Sequence, residues 1–285
     1  DEAVFSQRFS SEYIAKDCDF TADSRHLLAA VIGHRGVPLI RTDDWSQVDL
    51  LDVPDIKQWP YHRRLGALQG GLIFSTSYRR SGPEVWRLGE EGTLDFLRVP
   101  GRRFAEAETN HSRTAAALFD EEGLIYRLSA GEPPSLTQVA ERQEGRAIDI
   151  TDDGRRIAVG MSRTVELLDA ESGVVLSTLG PTRTGIREVS FSVDDRYLAA
   201  GQNGGMVHLW EVETNTLVAV LRGHSEKVVS IAFSPDGTTM ATASWDGALR
   251  LWGLTSLHTP ADELVRRFEA AWKLSLEDAL SAEVD

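Results

Sequence analysis

An all-β fold, built as an array of like units, follows from three features of the sequence. Closing apolar residues return at nearly constant spacing: Trp252, Trp210, Leu168 and Tyr126 stand 42 residues apart, and Trp86 lies 40 further back. Each ends a strand-sized apolar run that follows a turn containing Gly or Asp. The turn FSPDG at 233–237 also recurs as FSVDD at 191–195, ITDDG at 150–154 and FTADS at 20–24. A unit of this size cannot bury both faces of its own sheet, so its copies must stack on one another.

The fullest copy is GHSEKVVSIAFSPDGTTMATASWDGALRLW, residues 223–252. Its Gly223-His224, Trp245-Asp246 and Leu251-Trp252 resemble the WD40 repeat. The resemblance extends, in weakening form, over residues 10–252. It implies a six-bladed β-propeller over residues 1–255, each blade a four-stranded antiparallel sheet, followed by a short helical tail at 256–285. The family more often has seven blades, but the period leaves room for six.

Taken in order, residues 2–10 (EAVFSQRFS) have strand composition and precede the first full unit. The last unit lacks an outer strand after Trp252, so residues 2–10 are expected to supply it and close the ring. Closure would remove an exposed sheet edge. The first blade, about 11–55, reads as IAKDCDF, HLLAAVI, VPLIRT and VDLLDV. The second, about 56–100, has a poorly marked first strand near Leu65–Leu68, because Pro60 and Gly70-Gly71 disturb the pattern. The third, about 101–141, contains TAAALF, helical by propensity but strand by its place in the period. Blades at about 142–181, 182–223 and 224–252 follow the template. Beyond Thr255, Thr259-Pro260 with Asp262 reads as a helix start, and Leu264, Phe268, Ala271 and Trp272 fall on one helical stripe. That stripe suits either packing on the chain's own sheets or a partner.

The formal net charge is −14, which disfavours nonspecific binding to nucleic acid or anionic membranes. Residues 57–103 run against this balance, with nine Lys/Arg and four Asp/Glu. They form either a solvated basic face or a docking patch for an acidic segment. No apolar run is long enough for a membrane helix. The single cysteine, Cys18, is expected to be a small buried thiol in a strand and favours a reducing, cytoplasmic setting.

Within the last unit, the WD40 resemblance implies that His224, Ser244, Asp246 and Trp252 form a buried hydrogen-bond chain. Its order runs from indole to hydroxyl to imidazole to carboxylate. Such a set ties a loop to a strand and provides no oxyanion site. The Asp pairs at 43–44, 152–153 and 194–195 are read as turn formers. No His spacing fits a metal site and no Gly-rich loop fits a phosphate cradle, so neither catalytic residues, a metal nor a cofactor is expected.

The resemblance also implies a binding rim formed by the turns between second and third strands and by the loops entering each first strand. The residues just before the turn Asp position are Gly33, Arg79, Phe119, Met161, Asn203 and Trp245. With Arg80, Arg183 and Lys227, and without Gly33, they are the expected partner contacts, because aromatic, Met and Arg side chains dominate interfaces. The leading expectation is a noncatalytic protein-interaction module, scaffold or sensor of a larger polypeptide, similar in style to WD40 modules of bacterial signalling proteins. The alternatives are an open six-bladed ring completed by a partner chain and, more remotely, an enzyme built on a propeller scaffold.

Overall fold

The computed structural model describes residues 14–32, 37–43, 47–51, 62–77, 84–88, 94–98, 104–131 and 134–255. These form six antiparallel sheets. The first comprises β1 (Ile14–Phe20), β2 (His26–Ile32), β3 (Val37–Arg41) and β4 (Gln47–Leu51). The second has β5 (His62–Leu68), β6 (Leu72–Ser77), β7 (Glu84–Leu88) and β8 (Leu94–Arg98). The third has β9 (Phe104–Thr109), β10 (Ala115–Asp120), β11 (Leu124–Ser129) and β12 (Ser135–Glu141). The fourth has β13 (Ala147–Ile150), β14 (Arg156–Gly160), β15 (Val165–Asp169) and β16 (Val175–Leu179). The fifth has β17 (Ile186–Phe191), β18 (Tyr197–Gln202), β19 (Met206–Glu211) and β20 (Thr216–Arg222). The sixth contains β21 (Val228–Phe233), β22 (Thr239–Ser244) and β23 (Leu249–Gly253).

Within every sheet the strands lie in chain order, and the first strands of consecutive sheets pack against one another, β1 on β5 through to β17 on β21. The core is therefore divided into layers between neighbouring sheets. Phe74, Phe104 and Leu118 fill the second–third layer, and Phe119, Ile148 and Ile157 the third–fourth. Val165, Leu167, Phe191 and Trp210 fill the fourth–fifth, and Val207, Leu209, Phe233 and Met240 the fifth–sixth.

The recurrent turn between first and second strands has one chemical cause. A hydroxyl at its start bonds the carboxylate two residues on: Thr21 to Asp23 at 2.6 Å, Thr151 to Asp153 at 2.7 Å, Ser192 to Asp194 at 2.6 Å and Ser234 to Asp236 at 2.6 Å. The following residue takes left-handed backbone, with φ of 58° at Ser24, 67° at Gly154, 57° at Asp195 and 68° at Gly237. Short polar residues and Gly tolerate that conformation, which explains the composition of the motif. Gly70 and Gly71, both at φ 70°, make a tighter turn in the second unit, and its first strand is longer than Leu65–Leu68. All six residues of Ala-rich β10 are buried, so neighbours on both faces override its helix propensity.

Two sequence expectations need correction. Cys18 is exposed rather than buried, and by strand alternation it shares its face of β1 with Phe20, which is 43% exposed. Phe119 is only 5% exposed and belongs to the core between the third and fourth sheets. It fills space left by Gly145, where an added Cβ would stand 2.6 Å from the Phe119 ring. The expected closing strand at 2–10 and helical tail at 256–285 lie outside the described residues, and so does Gly33.

Candidate functional site: the turn rim of the last sheets

The last sheet builds its rim from two segments that meet at one end. One is the loop entering β21, with His224, Ser225 and Lys227. The other is the turn Ser244-Trp245-Asp246-Gly247 between β22 and β23. Gly247 adopts φ 79°, and its N–H donates to the Ser244 carbonyl at 3.1 Å. The Trp245 N–H donates to the Lys227 carbonyl at 3.1 Å, joining turn to loop.

Behind this surface runs a chain of polar groups. His224 Nδ1–H donates to Asp246 Oδ2 at 2.9 Å, and His224 Nε2 accepts from Thr242 Oγ1 at 2.8 Å. The Trp252 indole N–H donates to Thr242 Oγ1 at 2.9 Å. This proton assignment gives every member a donor and an acceptor in the required sense. The hydroxyl in the chain is thus Thr242, not the expected Ser244. Ser244 stands at the strand end, where its hydroxyl donates to the Glu226 carbonyl at 3.0 Å and accepts from the Asp246 N–H at 3.2 Å. Thr242, 1% exposed, sits deep enough to reach both rings. Strand alternation puts residues 242 and 244 on the same face, so the sequence could not separate them by side.

Asp246 also receives the N–H groups of Ala248 at 2.9 Å and Ser225 at 3.0 Å. The Ala248 and Ser225 N–H groups, with His224, hold its carboxyl down at about 2. The chain is a fixed anchor for the loop. Its one hydroxyl is committed on both sides and offers no free nucleophile.

On the solvent side of this anchor Trp245 is 64% exposed. The Lys227 Nζ lies 3.4 Å from the centre of its ring, a cation–π contact absent from the sequence reading. Such contacts contribute about 0.5–1 kcal/mol at exposed positions and restrict both side chains.

The fifth sheet repeats the construction with other groups. Asn203 N–H donates to the Gly185 carbonyl at 2.8 Å, and Thr184 Oγ1 accepts from Gly204 N–H at 3.0 Å. Arg183 and Asn203 are exposed there. Met161, at the corresponding turn of the fourth sheet, is half-buried against the third–fourth core. The structure therefore brings Lys227 and Trp245 together and keeps Arg183 and Asn203 on the equivalent turn of the next sheet. It removes Phe119 from the surface. Arg79, Arg80 and most of the basic block 57–103 lie outside the described side chains.

Among the described residues no group of three or more His, Cys, Asp or Glu side chains is placed to hold a metal ion. No helix among them is long and apolar enough to cross a membrane.

Residues 173–211 and 215–253 match the family model described as WD domain, G-beta repeat. Each match begins at or just before an outer strand and ends with the third strand of the following sheet, so one sequence repeat stitches two sheets together. Guanine nucleotide-binding protein subunit beta-5b of Danio rerio is 43% identical over 68 residues, covering 24% of this chain and 17% of that protein. WD repeat-containing protein 82 of Drosophila melanogaster is 27% identical over 168 residues, covering 56% of this chain and 53% of that protein. WD repeat and HMG-box DNA-binding protein 1 of Xenopus laevis is 30% identical over 131 residues, 46% of this chain and 11% of that protein. The chain thus spans between about a tenth and about half of the length of these relatives.

Proposed function

We propose that this chain, which carries WD40 repeats, is a noncatalytic protein-interaction module of a larger polypeptide or complex, and that it binds its partner at the rim of the last two sheets. The observation that carries this reading is Trp245: a large ring 64% exposed, yet carried on a turn that Asp246 anchors and lying against the Lys227 ammonium. An aromatic fixed before binding loses little conformational freedom on contact, and such residues dominate interface energetics. Arg183 and Lys227 add positive charge at the same end, which favours a partner with acidic groups. The exposed thiol of Cys18, the only cysteine, supports a reducing compartment such as the cytoplasm.

The test is affinity capture from native lysate, comparing the parent chain with a Trp245→Ala, Lys227→Glu variant by quantitative mass spectrometry. A specific protein should be lost from the variant while its thermal unfolding stays unchanged. Identical capture by both would remove the rim from consideration.

A second reading concerns how the array is completed. The sixth sheet has three strands among the described residues, where the other five have four. Residues 2–10 pairing with β23 would close the ring within the chain. Completion by a partner chain is favoured by another observation, the exposure of apolar side chains on the first and last described sheets. Phe20 of the first sheet is 43% exposed, and Leu249 and Leu251 of the sixth are each 68% exposed.

A further inference from the structure

The turn between β18 and β19 holds a self-reactive pair, Asn203-Gly204. Of the three asparagines in the chain, Asn110, Asn203 and Asn215, only Asn203 is followed by glycine. An asparagine amide can be attacked at Cγ by the backbone nitrogen of the next residue. A side chain on that residue crowds the approach, and glycine has none. Asn203 and Gly204 are both exposed, so water reaches the reacting atoms.

The other asparagines lack these conditions. Asn110 is 1% exposed and its amide is engaged at both ends. Its Oδ1 accepts the N–H groups of Thr114 at 2.8 Å and Ala115 at 3.0 Å, and its Nδ2 donates to Thr114 Oγ1 at 2.8 Å and to the Asp152 carbonyl at 3.0 Å. Asn215 is exposed but precedes Thr216, whose branched Cβ crowds the attacking nitrogen. Asp153, Asp236 and Asp246 also precede glycine. Their carboxylates accept the N–H groups of Arg155 at 2.9 Å, Thr238 at 3.0 Å and Ala248 at 2.9 Å, and an ionised carboxylate held in this way is a poor electrophile.

The fifth sheet also restrains the attacking nitrogen. Gly204 N–H donates to Thr184 Oγ1 at 3.0 Å, and Asn203 N–H donates to the Gly185 carbonyl at 2.8 Å. The loop entering β17 thus holds the turn at two successive residues. A Cβ at Gly185 would stand 2.8 Å from Asn203 Nδ2, and one at Gly204 would stand 3.1 Å from Thr184 Oγ1. Loop and turn therefore lie in close contact. To react, the Gly204 nitrogen must give up its proton and swing toward Asn203 Cγ. The bond to Thr184 opposes both movements.

We infer that Asn203-Gly204 is a site of intramolecular deamidation on the rim, and that the Thr184 hydroxyl sets its rate. The Gly204 nitrogen bonds to Asn203 Cγ, the Cγ–Nδ2 bond breaks, and ammonia leaves with the proton that the nitrogen gave up. Water then opens the cyclic imide at either carbonyl, leaving aspartate or isoaspartate. Either product replaces a neutral amide with a carboxylate on the rim that carries Arg183 and Lys227. Isoaspartate also lengthens the main chain within a turn closed by the Gly205 N–H and the Gln202 carbonyl at 3.2 Å. Weaker capture of an acidic partner follows, and that consequence alone rests on the rim being the binding surface.

The test incubates the full chain in mildly alkaline buffer with no partner present. Each asparagine peptide is followed by mass spectrometry, with fragmentation that tells aspartate from isoaspartate. Asn203 should convert in the folded chain while Asn110 and Asn215 stay intact. Thr184→Val should speed conversion roughly two- to tenfold, the ratio that one lost hydrogen bond corresponds to. Thr184→Ser keeps the hydroxyl and should match the parent. In urea the loop no longer holds the turn, so parent and variants should share one rate, faster than that of the folded parent. Absence of Asn203 conversion in the folded parent overturns the site. Equal folded rates for parent and Thr184→Val overturn the role of Thr184, and so does a parent that reacts no faster in urea. Asn203→Asp carries the change of charge without the reaction and should lower capture of a partner from lysate. Unchanged capture overturns the effect on binding alone, because the conversion is read with no partner present.

Discussion

Asp149 in β13 accepts the backbone N–H of Phe191, 42 residues further along in β17, at 2.7 Å. The separation equals the sequence period, so the bond joins first strands of neighbouring sheets. The other carboxyl oxygen accepts the Ile150 N–H at 2.8 Å. Asp19 makes the same kind of tie to the Ala67 N–H at 3.1 Å and receives both terminal nitrogens of Arg113 at 2.8 Å. Layered apolar cores are thus pinned by single carboxylates.

Asp149→Ala strands the buried Phe191 N–H and should cost about 1–3 kcal/mol, read from urea unfolding midpoints. Asp149 also has an unusual titration. Burial and the nearby Glu108 raise its pKa well above the ordinary 3.8. The native state keeps this proton where the unfolded chain has released it. Its contribution therefore lowers stability as pH rises from about 4 through the raised folded value. Asp149→Asn should abolish that slope, and an unchanged slope would show the carboxyl to titrate normally.

The polar chain of the last sheet separates Thr242 from Ser244. Thr242→Val removes the hydroxyl shared by His224 and Trp252 and leaves two buried nitrogens without their partner. The expected loss is about 1–3 kcal/mol. Ser244→Ala removes bonds at the more open strand end and should cost about 0.5–1.5 kcal/mol. Denaturation monitored by tryptophan fluorescence ranks the two, and the reverse order would contradict the assignment of the chain.

Acid should release the last sheet in a defined window. Asp246 is held at about 2 by the Ala248 and Ser225 N–H groups and His224. Asp236 is also at about 2, through Ser234 and both the N–H and hydroxyl of Thr238. Each folded value lies below the unfolded 3.8. Their stabilisation is complete above about pH 4 and disappears as pH falls through about 2. Asp246→Asn should flatten part of this acid limb in a circular dichroism titration, leaving the part that belongs to Asp236. An acid limb identical to the parent's would exclude a role for Asp246 in it.

Much of the architecture is legible in local chemistry. The turn series FTADS, ITDDG, FSVDD and FSPDG specifies its own hydroxyl–carboxylate bond and left-handed residue. The 42-residue spacing of Trp252, Trp210 and Leu168 locates one strand per unit. Both signals act within about five residues or repeat at constant interval, so they need no knowledge of the fold. The site was less legible. Asp246 and His224 could be placed, but Thr242 and Ser244 share a face, and depth along the strand chooses between them. The Lys227–Trp245 contact depends on where a loop meets a turn 18 residues away.

The sequence alone determined that this protein is a series of small antiparallel sheets, because periodicity and turn chemistry are properties of the chain. Tertiary structure decided which copies of an equivalent position see solvent. Phe191 and Phe20 occupy the same place in the repeat, yet Phe191, packed against the fourth sheet, is 1% exposed and Phe20 is 43% exposed. Burial is set by neighbours, and a residue's neighbours across a layer are fixed only when the sheets have stacked.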